Sequence, residues 1–371
     1  MDEKVVRLGV IGLGIMGTSH ANYVKAGEIK GCKLTAVCDV VLKKTEAFPD
    51  AKAFTNYKDM ISSGEVDAVL IATPHYMHTP IGIEALEAGL HVLVEKPISV
   101  HIADAQKLID AHSNPKQVFS AMFMLRTRGA YKKIKQLIDE GELGELIRVS
   151  WIVTNWFRSE AYYKSSDWRA TWEGEGGGVL VNQCPHNLDL LQWLLGMPSR
   201  VRAFCGIGKF HNVEVEDQVT AYLEYPNGAS GTFITTTGEA PGTNRLEIAG
   251  TRGKLVLEND KIHFTRNEIP VDKFIKTTEK LFGSPEVWQI EIPITNSPIN
   301  SHRLITQNFV DSILKGTELV APAEDGMNSV QLANAILYSS MKEETVEMPL
   351  AGAAFEKLLK SLIEKSKKEK K

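Results

Sequence analysis

The sequence predicts an α/β protein: a doubly wound parallel sheet first, then a second, α+β domain with a large, mostly antiparallel sheet. Three observations carry this. A G-x-G-x-x-G hexapeptide, Gly12-Leu13-Gly14-Ile15-Met16-Gly17, stands between a strand-like run and a helical one. Short apolar runs then alternate with helical stretches as far as Phe123, the pattern of βαβ units. After about Leu125 come strand-like runs separated by turn signals such as Pro226-Asn227-Gly228. A chain of 371 residues exceeds one typical core, so two domains are expected. Their bounds are read as 1–124 and 125–345, with closing helices packing back toward the first domain and a C-terminal segment over 346–371.

Arg7 to Ile11 reads as the first strand, and the helix after the hexapeptide runs to Ala26. Gly12 allows the tight turn, Gly14 lets backbone approach a pyrophosphate, and Gly17 lets helix and sheet pack closely. The helix N-terminus adds unpaired N–H groups and a positive dipole end. Ile15 and Met16 belong to the same cofactor loop. The next strand, Lys33 to Cys38, ends at Asp39, 22 positions after Gly17. An acid there accepts both ribose hydroxyls and repels a 2′-phosphate, which favours NAD over NADP. Lys43 and Lys44 keep NADP open, and a helix N-cap is the plain alternative for Asp39.

Asp67 to Ala72 reads as a strand and Thr73-Pro74-His75-Tyr76-Met77-His78 as its exit loop. Helix 81–88 follows, with Gly89 as its C-cap. His91 to Val94 is a buried strand that ends in Glu95-Lys96-Pro97. A residue before proline is pushed toward extended backbone, so Lys96 is held at the strand end, where ligands sit in open α/β sheets. There it can donate to a substrate hydroxyl; a surface lysine at a strand-to-loop junction is the alternative. Helix 103–112 and strand 118–123 close the pattern. His75 and His78 lack a third ligand, so no metal is expected.

Beyond Leu125 the reading is helix 130–140, a long strand 146–156, and a loop rich in aromatic and charged residues. Trp156, Phe157, Arg158, Tyr162, Tyr163, Trp168, Arg169 and Trp172 lie in it. Gly176-Gly177-Gly178 leads into one helix over 179–195. Spacings of four and three put Asn182, His186 and Asp189 on one face of it, opposite Leu188, Leu191 and Leu195. Asn182 can bond a substrate hydroxyl, His186 can exchange a proton near neutral pH, and Asp189 can orient the imidazole. The alternative is a polar, solvated face. Strands are expected at 201–207, 219–225, 229–237, 245–249 and 254–258. Residues 259–300 read as irregular, and helices return over 301–315 and 325–340.

The net charge of −4 gives no case for nucleic acid or an anionic membrane. Four scattered cysteines form no CxxC pair, which favours a reducing compartment and a cytoplasmic location. No apolar run reaches transmembrane length, and neither signal peptide nor anchor is read at the N-terminus. Lys365 to Lys371 reads as a solvated tail.

Gly12–Gly17, Thr73-Pro74 with His78, Glu95-Lys96-Pro97, Trp168-Arg169 ahead of Gly176–Gly178, His186, Glu216-Asp217 and the closing helix near Asp325 resemble the Gfo/Idh/MocA oxidoreductases in order and spacing. The resemblance covers nearly the whole chain. It implies an N-terminal Rossmann domain, an open, mostly antiparallel C-terminal sheet, a tightly held nicotinamide cofactor and a sugar, cyclitol or glycoside substrate. It also implies a homo-oligomer, dimer, tetramer or larger, through the open sheet. Lys96 and His186 match the family's catalytic pair, and the Lys96–Pro97 bond is expected to be cis. Gly12, Gly14, Ile15, Met16, Gly17, Asp39, Thr73, Pro74, His78, Glu95, Lys96, Trp168 and Arg169 are the expected cofactor contacts. Asn182, Arg126, Tyr162, Trp168 and Arg169 are the expected substrate contacts. The chain departs from the family at Asn182, where an aspartate is frequent, and at His75, where an asparagine is common. The expected activity is NAD-dependent oxidation of a secondary hydroxyl of a cyclic polyol. One rival is an enzyme that oxidises a ring hydroxyl transiently and recycles its cofactor for elimination or epimerisation. The other is a non-enzymatic NAD-binding regulator.

Overall fold

The computed structural model describes residues 4–297 and 299–369. The chain divides into two units. Described residues within Met1–Thr127, Glu173–Gly176 and Pro298–Gln331 form one, and those within Arg128–Trp172, Gly177–Ser297 and Leu332–Lys371 the other.

The first unit opens with β1 (Val6–Ile11), α1 (Ile15–Lys25), β2 (Cys32–Cys38), β3 (Lys52–Phe54), α2 (Tyr57–Ser62) and β4 (Ala68–Ile71). It continues with α3 (His78–Glu87), β5 (His91–Val94), α4 (Ile102–Asp110) and β6 (Phe119–Ala121). All neighbouring strands pair parallel in the order β3-β2-β1-β4-β5-β6. The order reverses between β1 and β4, so the turns after those strands flank the crevice where such sheets take ligands. Ala68 to Ile71 and Val92 to Val94 are fully buried, as strands covered on both faces must be. β3 and α2 were not expected from the sequence: three residues of edge strand carry no periodicity to read.

The second unit holds α5 (Gly129–Asp139), β7 (Leu146–Val153), α6 (Glu160–Tyr163), α7 (Val179–Asn182) and α8 (Pro185–Leu195). Then come β8 (Arg200–Ile207), β9 (Glu216–Glu224), β10 (Ser230–Thr236), β11 (Asn244–Gly250), β12 (Gly253–Glu258), β13 (Lys261–Asn267), α9 (Val271–Thr277) and β14 (Val287–Ile292). With β15 (Val346–Glu347), which follows α10 (Ser301–Lys315) and α11 (Ala323–Lys342), they form a sheet ordered β14-β13-β12-β11-β7-β10-β9-β8-β15. Among the described residues of this sheet, only β10 and β7 pair parallel. One face is core: Val149, Trp151, Ala203, Ala221, Phe233 and Ile248 are buried, with Tyr131 of α5 6.1 Å from Trp151. The alternate residues Phe204 and Tyr222 are 63% and 44% exposed.

Three expectations need correcting. The helix over 179–195 is two helices, because Pro185 has no N–H to donate and starts a new one. The irregular stretch 259–300 contains β13, α9 and β14; β14 is an edge strand with mostly exposed residues, so no alternation marks it. The C-terminal segment is α12 (Gly352–Glu369), which buries Phe355, Leu358, Leu359 and Leu362 at helical spacing. The lysine-rich tail is therefore helix through Glu369, and Lys370 and Lys371 lie outside the described residues. Among the described residues no helix is long and apolar enough to cross a membrane.

Candidate active site

The glycine loop is built by close approach. Gly12 has φ +91°, and a Cβ there would stand 2.6 Å from the Ala72 carbonyl oxygen. A Cβ on Gly17 would drive into the Gly12 carbonyl oxygen. A Cβ on Gly14 would meet nothing within 4 Å, so this glycine borders open space. Gly14 is also the N-cap of α1 and makes no side-chain capping bond, which leaves first-turn N–H groups for a ligand. Ile15, 84% exposed, stands beside that opening with the half-exposed Met16.

Asp39 holds the loop together. Its Oδ2 accepts from Leu13 N at 2.8 Å, its Oδ1 from Val41 N at 2.9 Å, and Lys44 Nζ lies 3.1 Å away. The sequence pointed to a ribose contact; the anchoring of the glycine loop was not foreseen. The ribose contact predicts that Asp39→Ala lowers the NAD over NADP preference in kcat/KM. The anchoring role predicts that the variant costs about 1–3 kcal/mol of stability by leaving the buried Leu13 N–H unpaired, measured by denaturant unfolding. A wild type that prefers NADP would refute the ribose assignment.

At the ends of β4 and β5, His78 is buried with Nδ1 2.7 Å from the Pro97 carbonyl and Nε2 2.9 Å from the Thr73 carbonyl. It ties the two exit loops together. Burial lowers its pKa against the pull of the two carbonyls. The buried Thr73 hydroxyl has no partner among the described residues, an orphan donor in the loop expected to face the cofactor. The Lys96–Pro97 peptide is cis, as the resemblance implies.

Glu95 is buried and accepts from His20 Nε2 at 2.7 Å and from Lys96 N at 3.1 Å. Burial alone would raise its pKa; the His20 bond and the charges of His20 and Lys96 outweigh that and bring it to about 2. A depressed carboxyl pKa adds stability above its unfolded value, about 4.3, and loses it as pH falls toward 2. Tm should therefore fall more steeply over that window in the wild type than in Glu95→Gln. Identical acid limbs in the two proteins would disprove it. No sequence signal was drawn from His20, although it shares the buried stripe of α1 with Gly17, Ala21 and Val24.

Asn182 ends α7 and His186 lies in the first turn of α8; both are half-buried. Asp189 is 1% exposed and accepts from Gln192 Nε2 at 3.2 Å, so the three do not share a solvated face. Glu216 sets the start of α7: its Oε1 accepts from Gly178 N and Leu180 N at 2.9 and 3.1 Å. A Cβ on Gly178 would collide with the Glu216 carbonyl, which explains the third glycine. Asp217 gathers the backbone N–H groups of Lys209, Phe210 and His211.

Arg169 stacks on Tyr162 and Trp168, its guanidinium carbon 4.7 and 4.8 Å from the ring centres, and donates to the Tyr162 hydroxyl at 2.9 Å. Tyr162 is thus the hub of a cation–π stack. Arg169 also lines a cavity of about 650 Å³ in the second unit with Tyr163, Trp172 and Lys365; neither Asn182 nor His186 does. Arg126, expected as a substrate contact, has a buried side chain ion-paired to Asp325 at 2.7 Å. Among the described residues no group of three His, Cys, Asp or Glu side chains could hold a metal.

Residues 6–123 match an oxidoreductase family with an NAD-binding Rossmann fold, and residues 131–256 match the GFO/IDH/MocA C-terminal domain. The chain belongs to the GFO/IDH/MocA oxidoreductase family. The first unit is accordingly its NAD-binding domain. Inositol 2-dehydrogenase of Salmonella paratyphi B is 29% identical over 196 residues, which cover 51% of this chain and 54% of that protein. The chain thus spans about half the length of the curated relatives it matches first. Levoglucosan dehydrogenase of Pseudarthrobacter phenanthrenivorans is 24% identical across 94% of this chain and 99% of its own. The crystal structure of the WlbA dehydrogenase from Bordetella pertussis, in complex with NADH and UDP-GlcNAcA, superposes with a TM-score of 0.77. It is 25% identical and covers 94% of this chain and all of that one.

Proposed function

We propose that this chain is an NAD-dependent dehydrogenase that oxidises a secondary hydroxyl of a cyclic polyol, whether sugar, inositol or glycoside. The observation that supports it most is the place of Lys96, at the end of β5 in the unit whose Gly14 borders open space at the start of α1. The relatives named above are dehydrogenases whose names point to sugar-like compounds. Gly14 and the first turn of α1 would hold the pyrophosphate, and Asp39 the adenosine ribose. NAD, when bound, supplies the hydride acceptor. Lys96 donates a hydrogen bond to the reacting oxygen, where fixed donors act most strongly as negative charge develops. His186 takes the hydroxyl proton. Asn182 orients the substrate, because an amide can bond a hydroxyl but cannot exchange its proton. The open sheet face around Phe204 and Tyr222 serves self-association.

The test is a screen of cyclic polyols and glycosides with NAD, followed at the NADH absorbance. Stoichiometric NADH from one substrate class is the expected result. Product formed without NADH would mean cofactor recycling in place, and no reaction with bound NAD would mean a regulator.

A further inference from the structure

A chain of buried polar groups runs from beneath Lys96 to α10, all within the first unit. Glu95 Oε2 accepts from Lys96 N, and Glu95 Oε1 lies 2.7 Å from His20 Nε2. His20 Nδ1 lies 2.5 Å from the Tyr23 hydroxyl, which lies 2.6 Å from Thr306 Oγ1. Thr306 Oγ1 donates to the His302 carbonyl at 3.0 Å. His20, Tyr23 and Thr306 are all buried, so water cannot replace a missing partner.

The protons can be counted along this chain. A hydroxyl has one proton to donate. Thr306 places its own on the His302 carbonyl, so toward Tyr23 it can only accept. Tyr23 therefore donates to Thr306 and presents lone pairs alone to His20. His20 Nδ1 must then carry a proton. His20 Nε2 faces a carboxylate oxygen, and that contact also needs one proton between the two atoms. We propose that the donor direction set by Thr306 keeps one extra proton on the His20–Glu95 pair, which holds the pair neutral beneath Lys96 and makes Thr306, Tyr23 and His20 positioning residues that act through Glu95 on the charge of Lys96. The functional weight of this arrangement rests on the reading that Lys96 bonds the reacting oxygen.

Other titratable groups face the same chain. His302 of α10 packs its ring 5.7 Å from that of His20, and burial pushes its pKa down. Arg303, ion-paired to Glu28, stands 5.8 Å over the Tyr23 ring. Cys32 acts on Tyr23, and burial pushes its thiol up to about 12, so it stays neutral. His78, the first residue of α3, feels the charge of Glu95. None of these supplies a donor to His20 Nδ1.

The test uses the full chain and a substitution away from cofactor and substrate. Thr306→Val keeps shape but removes the acceptor for the Tyr23 proton, which then turns to His20 Nδ1. Nitrogen-15 NMR of the histidine rings at neutral pH should show both His20 nitrogens protonated in the wild type, and Nδ1 stripped of its proton in Thr306→Val. The pair then becomes an uncompensated carboxylate. The Lys96 titration, followed in carbon-13-methylated protein, should rise by on the order of one pH unit. Thr306→Ser, which restores the hydroxyl, should return both readings to wild type. An unprotonated Nδ1 in the wild type overturns the proposal, and so does an unmoved Lys96 titration in Thr306→Val. Neither reading needs turnover, so a failed substrate screen would count against the dehydrogenase reading alone.

Discussion

His186→Ala should lower kcat by about 10²–10⁴-fold at neutral pH, the usual contribution of a positioned general acid–base group. NAD affinity should change little, since the residue belongs to the unit that does not carry the glycine loop. Burial and fixed geometry support the assignment: His186 is half-buried in the first turn of α8, on a helix whose inner face is held by Leu188 and Leu191. Lys96→Ala should lower kcat as well, because its hydrogen bond matters most as the alkoxide forms. Asn182→Ala should mainly raise KM. Asn182→Asp should be tolerated, with the pH–rate profile displaced toward higher pH, because a carboxylate favours the protonated imidazole. Wild-type turnover in both His186→Ala and Lys96→Ala on the true substrate would end the scheme.

The second large effect separates two glycines of one motif. Gly17→Ala forces a methyl into the Gly12 carbonyl, a backbone clash that no rotamer relieves. Overpacking typically costs about 1–3 kcal/mol, and a backbone clash should lie at or above the top of that range. Tm should fall by many degrees, with NAD binding lost alongside. Gly14→Ala adds a methyl to open space, so unfolding should be nearly unchanged while the NAD dissociation constant rises sharply. Equal stability loss in both variants would contradict this division; calorimetry for unfolding and titration for binding decide it.

Much of the first unit was legible because its signals are local. Val92, Leu93 and Val94 are a short apolar run that is in fact buried on both faces, and the glycine spacing is a backbone requirement written in residue type. The helix Ser301–Lys315 falls where periodicity puts it. What escaped depends on partners far along the chain. Nothing near His20 announces Glu95 or Thr306, and nothing near Arg126 announces its ion pair with the part-exposed Asp325. The break before α8 is written in Pro185, against the four- and three-residue spacing of Asn182, His186 and Asp189 that a single helix would share. The α12 stripe of Phe355, Leu358, Leu359 and Leu362 has a readable helical spacing, set among lysines that read as a solvated tail.

The cofactor unit is not contiguous in the chain. Its edge strand β6 is closed by the Ala321 carbonyl, which accepts from Ala121 N at 3.0 Å and from Ser120 Oγ at 2.8 Å. The carbonyl and amide of Lys30 meet the side chain of Gln307, and Phe309 and Val310 of α10 are fully buried. During synthesis the first 127 residues therefore leave the ribosome without the pieces that complete their sheet edge and cover their apolar surface. The nucleotide site must await about 200 further residues, so the intervening second unit emerges while its predecessor is still unfinished. A ribosome-bound fragment ending before α10 should bind NAD far more weakly than the whole chain.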